Sequence, residues 1–335
     1  MGTEPASRKQ LFIWSALAAA VLLGALLVLP LIGSARISYT GAFAGQSPHK
    51  EILFYARLPR VLLSALAGGV LAVAGALFQA LLRDALATPY TLGVSSGASL
   101  GAVIAICLGW RALADLPALW LAAFCGAGLV LALVVGVASG GGRMSSFTLL
   151  LAGITVNSVC LALILLLQNF ATFGQSFTIV RWIMGGIEAV EYSTIGWLAL
   201  AVLPVCLFIF AKAREWNLLA VGEEWAAARG VNAHQLLLAG YLAGSFVTGS
   251  VTALTGPIGF VGLIVPHALR LRVGADHRLL IPCSFLAGAT FLAICDTVAR
   301  TVLAPVEIPV GVITALLGGP FFIWLLRSRR RSLWL

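Results

Sequence analysis

The chain is expected to be an all-α, polytopic membrane protein with about ten transmembrane helices. Three observations lead there. It is 61% hydrophobic and only 10% charged, with a mean hydropathy of +1.04, whereas soluble domains carry roughly 25% charged residues. Apolar runs near the length that crosses a bilayer, about 20 residues, recur from one end to the other. Between them, basic residues fall preferentially on alternate loops.

The first run, approximately residues 11–33, exceeds the roughly 7–15 apolar residues of a signal-peptide core and reads as a retained helix. The next runs fall at approximately 60–82, 92–109, 116–138, 147–170, 193–212, 234–253, 257–270, 279–301 and 308–327, of which 257–270 is short. No stretch resembles a soluble domain, so residues 1–335 are expected to form one transmembrane domain. Gly93, Gly97 and Gly101 recur every fourth residue, as do Gly240 and Gly244, a spacing that lets helices approach closely in lipid. The triplet LAG occurs at 66–68 and again at 242–244, in spans of opposite direction, a hint of an inverted repeat.

Charge sets the orientation. Arg8 and Lys9 precede the first run, and Arg83, Arg143, Lys212, Arg214, Arg229, Arg270, Arg272 and Arg278 share their side under a ten-span count. Arg327, Arg329, Arg330 and Arg331 close the chain there. Positive residues of short loops stay cytoplasmic, so both termini are expected in the cytoplasm. The other side holds Arg36, Lys50, Arg57, Arg60, Arg111, Arg181 and Arg300, with Asp115, Glu188, Glu191 and Glu307. The pair Arg57 and Arg60, in RLPR at the entrance of the second run, breaks the pattern. An acidic partner docking from outside is the simplest reason. The net charge of +9 is then mainly an anchoring signal, and no basic face with interleaved aromatics points to nucleic acid.

Several chemistries are excluded or left without support. No Gly-Lys dipeptide occurs, which rules out a phosphate-binding P-loop; if ATP drives the protein, another chain binds it. The six cysteines, Cys107, Cys125, Cys160, Cys206, Cys283 and Cys295, lie scattered in spans with no CxxC and read as packing residues. An ion-coupled transporter needs ionisable groups deep in the bundle, and Asp296 lies near a span end. His267 and His277 have no catalytic or metal partner at useful spacing.

The connector AREWNLLAVGEEWAAARGVNA, about residues 213–233, is unusually long. Asn217 can cap a short helix starting at Leu218, Gly222 punctuates it, and Glu223 with Glu224 opens a second turn ending at Gly230. Two short helices on the inner face could serve as a lever for a cytoplasmic motor or as a plain interfacial connector.

The segments RLPRVLLSALAGGVLAVAGALFQALL, ATPYTLGVSSGASLGA, LLLAGITVNS, LLAVGEEWAAARGVN, GPIGFVGLIVPHALRLRVGADHRLLIP, DTVAR and EIPVGVITALLGGPFF resemble, in order over roughly residues 55–325, the FecCD family of ABC-importer permeases. The resemblance implies a permease subunit that performs no chemistry itself. It implies two subunits, a homodimer by default, around a central pathway in the bacterial inner membrane. Two partner ATPase subunits below would bind ATP and Mg, and a periplasmic or lipid-anchored binding protein would dock above. The positions matching the family's docking arginines are Arg57, Arg60 and Arg300; Arg300 is also placed to pair with Asp296 one turn earlier. The connector, about residues 215–232, would hold the coupling helices, with Leu218, Gly222, Glu223, Glu224 and Gly230 facing the ATPase.

The resemblance places the cytoplasmic gate at two turns. One, usually Asn-Pro-Leu-Ala in the family, here reads Asp84, Ala85, Leu86, Ala87; the other holds Ser145 and Ser146. Losing the proline loosens the turn, and an acid in place of Asn would bring two carboxylates near the dimer axis, giving a more polar, pH-sensitive gate. Candidate pathway residues are Asn157, Ser158, Gln168 and Asn169 of the fifth span and Thr314 of the tenth, each of which could equally bridge helices. An iron(III)–siderophore is the first expectation for the cargo, with haem and vitamin B12 as alternatives, moved by alternating access.

Overall fold

The computed structural model describes residues 8–110, 118–139 and 145–329, and its regular elements are helices. Arg111, Asp115, Arg143, Arg330 and Arg331, counted in the charge pattern, lie outside the described residues. In order, the helices are α1 (Arg8–Val28), α2 (Tyr39–Phe43), α3 (Leu58–Leu82), α4 (Val94–Cys107), α5 (Ala118–Ser139), α6 (Ser146–Phe170) and α7 (Phe173–Ile183). There follow α8 (Tyr192–Ala211), α9 (Ala213–Val221), α10 (Glu223–Ala228), α11 (Ala233–Thr255), α12 (Val261–Val273), α13 (His277–Thr301) and α14 (Val310–Arg329).

Each expected span falls on one of these helices. Among the described residues, seven stretches are long and apolar enough to cross a membrane: Phe12–Leu31, Glu51–Leu82, and helices α5, α6, α8, α11 and α13. Helices α4 and α14 carry shorter apolar stretches, Val94–Cys107 and Val310–Trp324, and α12 completes the ten. The second span begins earlier than its expected start, because a π-helical segment, Glu51–Arg57, runs straight into α3. Helix α12, at 13 residues, covers only about 20 Å at the helical rise. It begins at a sharp reversal where Phe260 is left-handed, with φ 68°.

Helix α3 is the axis of the bundle. Small and apolar residues cover its whole circumference, and nearly every position from Val61 to Leu81 is buried, as expected of a helix with no polar face. Its neighbours reach it backbone to backbone. A methyl group on Gly68 would stand 2.3 Å from the Gly288 carbonyl oxygen of α13, and one on Gly75 only 1.9 Å from that of Gly262 in α12. Gly97 and Gly101 meet α5 in the same way, Gly101 against Ala122 at 2.1 Å, while Gly93 faces the Gly153 carbonyl of α6. Of the LAG triplets, Gly68 meets that carbonyl and Gly244 receives the ring of Phe78. Four of the six free cysteines are buried among these contacts, while Cys125 is exposed.

The expected span pattern contains no α7. Its 11 residues are too few for a crossing run, and it is held by a capping box in which Thr172 and Gln175 serve each other's backbone N–H.

Candidate functional site

Two polar clusters stand at opposite ends of α3. At its start, Arg60 lays its guanidinium along Asp296 of α13: Nε lies 3.1 Å from both carboxylate oxygens and Nη2 3.0 Å from Oδ1. Its Nη1 donates to Glu307 at 2.8 Å. Asp296 is fully buried, so this charge-assisted fork is what makes its burial tolerable. Arg300, expected against Asp296, has an ion-pair separation of 3.9 Å and donates instead to the Leu29 carbonyl at 3.0 Å and to Thr297 at 3.2 Å. Arg57 donates to the Leu31 carbonyl at 3.2 Å and to that of Ala35. Gly33 makes room for it, since a methyl there would stand 2.4 Å from the guanidinium carbon.

Thus Arg57 and Arg300, expected at a docking surface, are buried and engaged within the chain, and Arg60 keeps a small exposed edge. Arg36 and Lys50, on the segment between α1 and α3, are exposed.

At the other end, α3 closes on Arg83 in a left-handed conformation, φ 52°, a geometry that costs a non-glycine residue roughly 1–2 kcal/mol. The next turn is built by Asp84, whose Oδ1 accepts the Leu86 N–H at 2.9 Å while its carbonyl accepts that of Ala87 at 3.1 Å. An aspartate therefore makes the turn that an asparagine would make, with no proline, and leaves Leu86 exposed. Ser145 caps α6 in a reciprocal pair with Thr148. Ser146 is buried, its Oγ 2.6 Å from the Leu81 carbonyl and 3.0 Å from Glu223 Oε1.

The connector departs from expectation in three places. Its first helix begins at Ala213 rather than Leu218, so Asn217 lies inside it and cannot cap it. Asn217 bridges to α13 instead: Oδ1 accepts the His277 N–H at 2.8 Å, and Nδ2 donates to Asp276 at 2.9 Å. Gly222 is buried in extended backbone, φ 160°, so the reversal needs no glycine there; Gly230, at φ 81°, does sit in the left-handed region. Glu223 turns inward to Arg83 and Ser146, Leu218 is partly buried, and Glu224 and Gly230 are exposed.

Val221 and Trp225, absent from the expected set, are the large apolar side chains this connector exposes, at 68% and 62%. Their signal was legible in AVGEEWAAARG: an apolar residue and a tryptophan flank two acids, on helices too short to bury them.

Of the expected pathway residues, Asn157 lines a cavity of about 320 Å³ with Tyr90, Thr91, Ser95, Ser96, Ser99 and Pro257. Tyr90 donates to the Ile258 carbonyl, and desolvation holds its phenol above the ordinary tyrosine range. Ser158 returns its hydroxyl to the Ile154 carbonyl at 3.0 Å on the exposed side of α6. Gln168 is partly buried and Asn169 exposed near the far end of that helix. Thr314 is fully buried, its hydroxyl on the Gly311 carbonyl at 3.0 Å, and does not reach the cavity.

The profile of the FecCD transport family matches residues 16–328. The hemin transport system permease protein HmuU of Yersinia pestis is 41% identical over 278 residues, 82% of this chain and 83% of that protein. The vitamin B12 import system permease protein BtuC of Escherichia coli O9:H4 is 41% identical over 289 residues, 85% and 86% of the two chains. A solved structure of a candidate metal-chelate type ABC transporter, in an inward-facing conformation, aligns with TM-score 0.82 and 30% identity over 96% of this chain and all of its own. A bundle of this topology, matched by the family profile over nearly its whole length and by these relatives over most of it, is a permease subunit of a type II ABC importer, and the chain belongs to the FecCD transport family.

Proposed function

We propose that two copies of this chain form the membrane pathway of an importer for a metal chelate, powered by a separate ATPase and fed by a binding protein. Both termini and the α9–α10 connector face the cytoplasm in this reading, and the Arg60–Asp296 end faces outward. The observation that carries it is the exposed shoulder of Val221, Glu224 and Trp225 on two short helices beside the Asp84 and Ser145 turns. A bare tryptophan flanked by acidic and small residues suits burial in a groove of a motor subunit, where such anchors typically dominate binding.

The hydroxyl-rich cavity beside Asn157 supports a pathway that passes a bulky polar cargo without binding it through charge. Since relatives carry hemin or vitamin B12, haem and cobalamin stand level with a ferric siderophore as cargo. An acidic binding protein would meet Arg36, Lys50 and the open edge of Arg60, and would compete with Glu307 for the latter.

The test is ATP hydrolysis by the reconstituted complex in lipid, with binding protein loaded in turn with haem, cobalamin or ferric siderophore. One loaded carrier should stimulate hydrolysis, and Trp225→Ala should weaken retention of the ATPase by about tenfold or more. Full retention with Trp225→Ala, or no response to any carrier, overturns the reading.

A further inference from the structure

Glu223 belongs to the connector expected to face the motor, yet its carboxylate points into the chain. A single oxygen, Oε1, lies 3.3 Å from Arg83 Nη2, 3.3 Å from the Ser146 N–H and 3.0 Å from Ser146 Oγ. These donors come from two different helices. Arg83 closes α3 immediately before the Asp84 turn, and Ser146 opens α6 immediately after Ser145. We propose that Glu223 is a positioning residue that clasps the two gate turns together from the coupling connector, and that motor-driven movement of α10 releases it. The inference rests on the importer reading above and adds the contact through which lever and gate communicate.

The chemistry suits a clasp that closes firmly and opens at the cost of one backbone N–H. A carboxylate at the first turn of α6 meets an N–H with no intrahelical partner and the positive end of the helix dipole. The Ser146 hydroxyl has one hydrogen and two acceptors in reach, Glu223 and, at 2.6 Å, the Leu81 carbonyl. If α10 withdraws, that hydrogen stays with Leu81. Arg83, 42% exposed, returns to water, so of the three donors only the Ser146 N–H is left to find a new acceptor. The other half of the connector is tied elsewhere: Asn217 fixes α9 to the start of α13. A displacement of α10 is therefore free to act on the contacts of Glu223 with Arg83 and Ser146 while α9 stays anchored.

The experiment uses the complex of this chain with its ATPase in lipid nanodiscs, carrying Leu86→Cys at the exposed gate turn. Its maleimide labelling rate is compared without nucleotide and with ATP, Mg and vanadate, after subtraction of labelling in the same protein lacking Leu86→Cys. ATPase retained per permease is measured alongside. Glu223→Gln should reduce the nucleotide-dependent ratio about two- to fivefold, the range of one partly exposed ion pair. Arg83→Gln should do the same, and the double variant no more than either alone. An unchanged ratio in Glu223→Gln, with the ATPase retained, overturns the clasp alone. Loss of the ATPase with that variant overturns it too, since Glu223 would then be a motor contact. No nucleotide response in the complex with intact Glu223 and Arg83 removes the importer reading and the clasp together.

Discussion

Replacing Asp296 with asparagine tests how the outer cluster is held. The substitution keeps the volume and removes the charge, leaving the Arg60 and Arg300 guanidiniums side by side, with the Arg300 side chain only 6% exposed. Breaking a buried pair from one side costs about 3–5 kcal/mol. Glu307, which holds Arg60 at 2.8 Å but is half exposed, offsets about 1 kcal/mol of this. The net loss is therefore about 2–4 kcal/mol. At about 2 °C per kcal/mol for a chain of this size, the melting midpoint of Asp296→Asn in lipid-supplemented detergent should fall by about 4–8 °C. The readout is intrinsic tryptophan fluorescence, checked by the fraction that stays monodisperse. Glu307→Gln, acting at a solvent-screened site, should shift the midpoint by no more than about 2 °C. If Glu307→Gln destabilises more than Asp296→Asn, the burial argument is wrong.

Gly75→Ala should impair assembly, because the added methyl meets the Gly262 carbonyl at 1.9 Å; at about 1–3 kcal/mol or more for overpacking, the monodisperse fraction falls. Gly128→Ala, with nothing within 4 Å, should not change it. Asn217→Ala should cost about 1–2 kcal/mol, as for a lost helix cap, and speed amide exchange at His277. Asp84→Asn should preserve the turn, since the amide oxygen still accepts the Leu86 N–H, and leave the monodisperse fraction unchanged.

The ten spans were legible because lipid leaves only apolar runs of helical length to read, and each run found its helix. The second connector helix was legible from its punctuation, because Gly222 and Gly230 bracket Glu223–Ala228. What could not be read was the direction in which polar side chains point. Asn217 has the composition of an N-cap, and it does serve a helix start, but that of α13, 60 residues away. Arg57 breaks the charge rule and Arg300 matches a docking position of the family, whereas carbonyls at Leu29, Leu31 and Ala35 already occupy them. Thr314 has the chemistry of a pathway residue and spends it on its own helix. In each case the partner is distant in sequence or lies on the main chain, where residue type leaves no trace.

That distinction bears on what holds α6 in place. The helix meets the rest of the chain along one narrow stripe, Leu149, Ala152, Gly153, Cys160 and Ile164, and exposes Phe147, Leu151, Ile154, Leu161 and Leu165. In a bilayer, apolar side chains gain little by exchanging lipid for protein, so that exposed surface hardly opposes a tilt. The backbone ends behave differently. Leu81 offers one of the last carbonyls of α3, which its own helix cannot satisfy, and Ser146 supplies the donor. Helix α3, buried all round and locked to α12 and α13 through glycine contacts, has no such freedom. Movement at this end of the bundle is therefore set by a few hydrogen bonds to α6 rather than by apolar burial. A carboxylate arriving from the connector is strong enough to bias it.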